Sequence, residues 1–301
     1  MNERLGYICS TYLAKKADED SRIWVIDGDL ADSEGAENFA AKHPDKFINA
    51  GIAEQNMVSL AAGLATTGAR PWVFSFAAFL CYRAYDQIRV SIMQTEMPVT
   101  LVGSHAGACN GKNGKTHVSL NDIALMTSLP KMSVWAPSDS EDVLKAVDSI
   151  LFDNNSSYIR LPRDPAQLTL PTGNGLVRWL GSPSRTAIIS YGFSTQLALA
   201  TQKILEEQGV NIGILHFCKI WPLDIEEITK LLKNVECAFV IEDHYGLHGF
   251  ISCLKHIGVE TLLLSMAWPI DWCGQSGSTE DLLRNFKLLP TQIALEIIKK
   301  I

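Results

Sequence analysis

The sequence predicts an α/β protein made of two consecutive three-layer α/β/α domains, and three observations carry that prediction. Short apolar runs fit for buried strands alternate with stretches of helical periodicity through the first half of the chain. A stretch richer in Pro, Gly and Thr then interrupts the alternation between Asp164 and Ser184. Beyond it strand and helix alternate again, the pattern of a second sheet covered by helices. The boundaries follow: a first domain over residues 1–165, a linker over 166–184 and a second domain over 185–301.

Leu5, Ile8, Cys9, Tyr12 and Leu13 recur at helical spacing, so residues 2–16 form the opening helix, and Arg22 to Ile26 is the first buried strand. Phe47 to Ala50 is a second short strand that turns at Gly51 into a helix carrying Glu54 in its first turn. Met57, Leu60, Ala61 and Leu64 give that helix its apolar face. Glu54 precedes Met57, Val58 and Ala61 by three, four and seven residues and therefore lies on the buried side. An unpaired carboxylate there is costly, which singles Glu54 out. Arg70 to Phe76 is a strand and Ala77 to Arg89 a helix, with Phe76, Phe79 and Tyr82 spaced every three residues across the junction. Pro98 to Gly103 is another strand, released into a glycine-rich loop that runs from Ser104 to His117. Ser133 to Pro137 and Ser157 to Arg163 are further strands, and the helix between them is capped by Ser138 or Ser140. In the second domain, strands over 185–192, 211–217 and 238–242 alternate with helices over 195–207 and 225–232.

Composition narrows the function. Among 301 residues, 26 Lys+Arg against 33 Asp+Glu give a net charge of −7 with no dense basic run, so a nucleic-acid or membrane-surface role lacks its electrostatic footprint. No stretch reaches the ~18 apolar residues of a membrane span, and the N-terminus has no basic-then-apolar leader, so a cytoplasmic protein is expected. Seven cysteines, widely spaced, read as reduced structural thiols. Two metal readings fail. Asp27 to Ser33 lacks the ligand spacing and glycine of a calcium loop, and His105, Cys109 and His117 lack a tight pair or a fourth ligand for zinc.

The stretch Ile52-Ala-Glu-Gln55 resembles the signature of the pyrimidine-binding domain in transketolases, deoxyxylulose-phosphate synthases and 2-oxoacid dehydrogenase beta subunits, all thiamine-diphosphate enzymes. The flanking residues continue the resemblance, and in transketolases the histidines of the loop stand twelve residues apart, as His105 and His117 do. The second half is similar to the transketolase C-terminal domain, including the turn Glu242 to Gly249.

The resemblance implies a catalytic Glu54 that hydrogen-bonds the aminopyrimidine and favours its imino tautomer, and a cofactor pocket walled by Phe76, Phe79 and Tyr82 with Asp29 nearby. It implies substrate contacts from His105, His117, Arg163 and Ser33, with His117 also catalytic and Arg163 taking a terminal phosphate. Asn113 stands where transketolases carry an aspartate that reads the donor's C2 hydroxyl, and Lys112 replaces the acid before it, so donor preference is expected to shift. His244 and His248 are expected to be structural.

The Gly-Asp-Gly motif of the diphosphate-binding domain does not occur in the sequence. The expectation is a split transketolase. Thiamine diphosphate, with Mg²⁺ or Ca²⁺, would be held by a separate diphosphate-binding subunit, in an α2β2 heterotetramer moving a two-carbon ketol unit from a ketose phosphate to an aldehyde. A 2-oxoacid dehydrogenase beta subunit, a synthase-like enzyme and a non-catalytic scaffold are the alternatives.

Overall fold

The computed structural model describes residues 4–108, 111–163, 170, 171, 173 and 175–301. Cys109 and residues 166–169, 172 and 174 of the stretch expected to be a linker lie outside the described residues. Among the described residues, twelve strands form two sheets. They are β1 (Ile23–Asp27), β2 (Phe47–Asn49), β3 (Arg70–Phe76), β4 (Thr100–Ser104), β5 (Ser133–Trp135), β6 (Ser157–Arg160), β7 (Val177–Leu180), β8 (Thr186–Tyr191), β9 (Gly213–Phe217), β10 (Lys219–Trp221), β11 (Cys237–Tyr245) and β12 (Leu262–Trp268). The larger sheet has the order β10-β5-β6-β4-β3-β1-β2 and the smaller β12-β11-β8-β9-β7.

Both sheets are parallel apart from one antiparallel edge strand each, β10 against β5 and β7 against β9. β10 follows β9 in sequence but pairs in the first sheet, so the C-terminal half of the chain closes the edge of the N-terminal one. Every side chain of β3 and β4 is buried, as a parallel sheet covered on both faces requires.

Several expectations are corrected. The opening helix is Leu5–Glu19. The helix before β6 is Ser140–Asp153, and its cap is Asp139, whose carboxylate accepts the Asp142 N–H at 2.9 Å. Extended backbone at Asp139 places the cap one residue from either serine. β7 falls inside the stretch assigned to the linker, because its antiparallel pairing with β9 supplies a partner that local composition does not reveal. Leu60 is 37% exposed and lies off the apolar face, whereas Met57, Val58 and Ala61 are buried as expected. The helix expected over 77–89 is instead a π-helical turn, Phe79–Arg83, a short α-turn Tyr85–Gln87 and a second π-turn, Ile88–Met93.

Two buried ionic clusters fasten the sheets together. Arg160 on β6 donates to Asp122 Oδ2 at 2.8 Å and to the Asp243 carbonyl of β11 at 2.5 Å, while Tyr158 donates to the same Asp122 oxygen at 2.8 Å. Asp142 meets His216 on β9 at 2.8 Å and Arg178 on β7 at 2.9 Å. Burial alone would raise the Asp142 carboxyl; the His216 hydrogen bond and the Arg178 guanidinium outweigh it and hold the group down at about 2. Losing one member of such a cluster strands the others, at a cost of about 3–5 kcal/mol.

Candidate active site

The candidate residues gather at the carboxyl ends of β1, β2, β3 and β4, where open parallel sheets bind ligands. After β2 the chain turns through Gly51, at φ +73, and enters the helix Glu54–Ala65. Glu54 is the first residue of that helix and is only 2% exposed. Its Oε2 accepts a 2.7 Å hydrogen bond from Arg83 Nη1, whose guanidinium lies 4.8 Å over the Phe79 ring. A planar nitrogen-bearing group thus already stacks on Phe79 and bonds Glu54 at once.

Four rings make the wall beside it. Phe76 and Phe79 stack with centroids 5.5 Å apart, and Phe76 stacks on His105 at 4.0 Å. His117 meets Phe79 edge-on at 5.2 Å and Phe76 at 6.0 Å. The two histidines, distant in sequence from the phenylalanines, are therefore brought to one wall. Tyr82 is not placed beside Phe76 and Phe79 as expected: it is 46% exposed and its hydroxyl donates to Asn121 Oδ1. The cause is the π-turn, which widens the helix so that a spacing of three no longer keeps a common edge.

The floor is acidic. Asp27 at the end of β1 is fully buried and accepts the Leu30 N–H at 2.8 Å. Burial pushes its carboxyl up to about 6, against the pull of nearby backbone N–H groups. Glu34 is also buried, and burial first, then the Asp27 charge, drives it well above the usual carboxylate range. Asp29 is exposed at φ +68 and accepts from Asn49 Nδ2 at 3.2 Å.

One side of the site is cationic. Burial, then Arg163, Arg4 and His117, press the His105 imidazole down to about 3, so the ring is neutral. Arg4 donates to the Ser33 carbonyl at 3.3 Å. Ser33, His105, Arg163 and Arg4 therefore share a neighbourhood suited to an anion. Asn113 and Lys112 are exposed in the 3₁₀ turn Gly111–Asn113.

The comparisons identify the lineage. Residues 5–167 match the transketolase pyrimidine binding domain and residues 176–293 the transketolase C-terminal domain. The chain belongs to the transketolase family. It is 30% identical over 288 residues to the 6-deoxy-6-sulfo-D-fructose transketolase subunit SqwH of Clostridium sp. (strain MSTE9), covering 93% of this chain and 89% of that one. It is 34% identical over 283 residues to human transketolase, covering 91% of this chain but only 45% of the human protein. Among solved structures, one titled as a split gene transketolase, an inactive beta4 tetramer, superposes with TM-score 0.87 at 26% identity, over 98% of this chain and 97% of that one.

The sequence does not single out three residues of this candidate site. Arg83 ends the π-turn and meets Glu54 from there, 29 residues away in sequence. Arg4 lies 29 residues before its contact, Ser33. Asp27 stands in a stretch that fails as a calcium loop, although a carboxylate ending an apolar strand is itself a signal. No cluster of potential metal ligands occurs among the described residues, and no helix among them is long and apolar enough to cross a membrane.

Proposed function

We propose that this chain is the C-terminal subunit of a split transketolase, completing a thiamine-diphosphate site together with a separate diphosphate-binding subunit. The observation that carries the reading is the buried Glu54 carboxylate beside the Phe76–Phe79–His105–His117 wall. An aminopyrimidine suits this donor set, since the Arg83 guanidinium, also planar and N–H bearing, satisfies the same carboxylate and the same ring face. When bound, the cofactor supplies a carbon nucleophile and an electron sink at its thiazolium ring.

The chain's own residues do the rest. Glu54 holds a proton at the pyrimidine ring nitrogen. Phe76 and Phe79 exclude water and orient the ring, with Tyr82 and Asp29 at the margin of the pocket. His117 holds the reacting hydroxyl or carbonyl oxygen. Arg163, Arg4, Ser33 and His105 take the far end of an anionic donor. Asn113 and Lys112 face the donor with an amide and a cation, which favours anionic substrates and loosens the reading of the C2 hydroxyl.

The experiment is co-expression with a separate diphosphate-binding transketolase subunit from the same organism, followed by thiamine-diphosphate-dependent assays over ketose donors and aldehyde acceptors. Ketol transfer from an anionic ketose is expected. Turnover of 2-oxoacids with silence across every ketose would overturn the reading.

A further inference from the structure

Glu34 lies beneath the site, 2% exposed, and its two oxygens differ sharply in their surroundings. Oε1 is 3.0 Å from Ser104 Oγ, and that hydroxyl is in turn 3.1 Å from His105 Nδ1. Oε2 is buried with no hydrogen-bond partner among the described residues. The imidazole at the end of this chain is held flat against Phe76, with a centroid distance of 4.0 Å and an interplanar angle of 26°.

We propose that Glu34 is a positioning residue for His105, acting through Ser104 to fix the imidazole as its Nε2–H tautomer so that His105 meets the substrate as a hydrogen-bond donor. The orphaned oxygen decides the direction of the relay. An ionised Glu34 would leave a charged oxygen in the interior without a donor, whereas a neutral carboxyl leaves only a carbonyl oxygen there, a much smaller loss. A neutral Glu34 donates its O–H to Ser104 Oγ, the serine proton then turns to His105 Nδ1, and the ring proton is left on Nε2. An ionised Glu34 would reverse every bond and leave Nε2 bare. Such a bare nitrogen would repel an anion that the neighbouring Arg163 and Arg4 attract.

The charges around both ends agree with this direction. Asp27, Asp32 and Glu54 all disfavour ionisation of Glu34, and Arg163, Arg4 and His117 all disfavour a second proton on His105. That the donor faces substrate rests on the function proposed above; the tautomer does not.

The test is long-range ¹H–¹⁵N spectroscopy of the full-length chain labelled at histidine, with the His105 signals assigned through His105→Gln. Nδ1 is expected to be bare and Nε2 protonated at neutral pH. Glu34→Gln, whose amide N–H also donates to Ser104, should preserve that pattern. Glu34→Leu, or Ser104→Ala if the leucine variant does not fold, should move the Nδ1 signal toward the protonated position as the tautomers mix. A wild-type ring protonated on Nδ1 would overturn the proposal, as would spectra of Glu34→Leu and Ser104→Ala that match wild type. The measurement needs no cofactor, partner or turnover, so a failure here leaves the split-transketolase reading standing, and a failed activity assay leaves the tautomer standing.

Discussion

At the residue scale the proposed function puts Glu54 against the cofactor and Arg4 against the substrate. Replacing Glu54 by glutamine keeps the shape and one acceptor for Arg83 but removes the group that carries the proton, so turnover of the assembled enzyme should fall by about 10²–10⁴-fold. Thermal stability should stay close to wild type; unchanged proton exchange at the thiazolium carbon would remove Glu54 from the mechanism. Arg4→Ala removes one charged donor from the anion neighbourhood. A hydrogen bond to a charged group contributes about 1.5–3 kcal/mol, so KM for a phosphorylated donor should rise on the order of ten- to a hundredfold. KM for the same donor without its phosphate should hardly move, and an equal rise for both would show that Arg4 supports the fold rather than the anion. Glu54 was legible in the sequence because its helix has a regular period and an acid on the buried side of such a helix stands out. Arg4 was not, because its neighbourhood is assembled by strand order, which no local pattern encodes.

At the scale of elements, the strand-to-helix junction after β3 and the loop after β4 carry most of the candidate residues. The apolar runs of β1, β3 and β4 read directly from the sequence because parallel strands buried on both faces must be continuously apolar. The π-turn Phe79–Arg83 did not, since one extra residue per turn leaves the hydrophobic pattern almost unchanged while moving Tyr82 outward and Arg83 onto Glu54. The loop after β4 is pinned across the seam at Gly107. This residue has φ +80, and a Cβ there would stand 1.7 Å from Asp243 Oδ2. Asp243 is itself fixed by the Ala108 N–H at 3.0 Å and the Trp268 indole N–H at 2.8 Å, so it has little room to yield. Gly107→Ala should therefore destabilise the protein by more than about 2 kcal/mol. A melting temperature within a degree of wild type would show that loop and seam are not rigidly joined.

Over the whole molecule, two sheets meet across a seam rich in buried ionisable groups, and stability should depend on pH accordingly. Burial pushes Glu242 up to about 8, although the N–H groups of Phe250 and Ile251 and the Tyr191 hydroxyl pull the other way. Its folded value lies above its unfolded one, so its contribution is complete below about pH 4.5 and is lost as pH rises through 8. His244, held down at about 4 by burial, and His105, held at about 3, have the opposite sign: their contribution is present above about pH 6.5 and is lost on acidification. From pH 6.5 to 8 Glu242 contributes a fall of about 1.5–2 kcal/mol at 1.36 kcal/mol per unit; Glu34, also held up by burial, acts in the same direction, and the last of the histidine titration in the unfolded state offsets a fraction of it. Chemical denaturation at the two pH values should show that fall in wild type and a smaller one in Glu242→Gln; identical slopes would place the titration elsewhere. Whether this fold supplies only the pyrimidine half of a shared cofactor site is decided by calorimetric titration of thiamine diphosphate and Mg²⁺ into the pure chain and into the chain mixed with a diphosphate-binding subunit. No measurable heat of binding is expected with the chain alone and saturable binding with the pair; tight binding to the chain alone would mean that it carries a complete cofactor site.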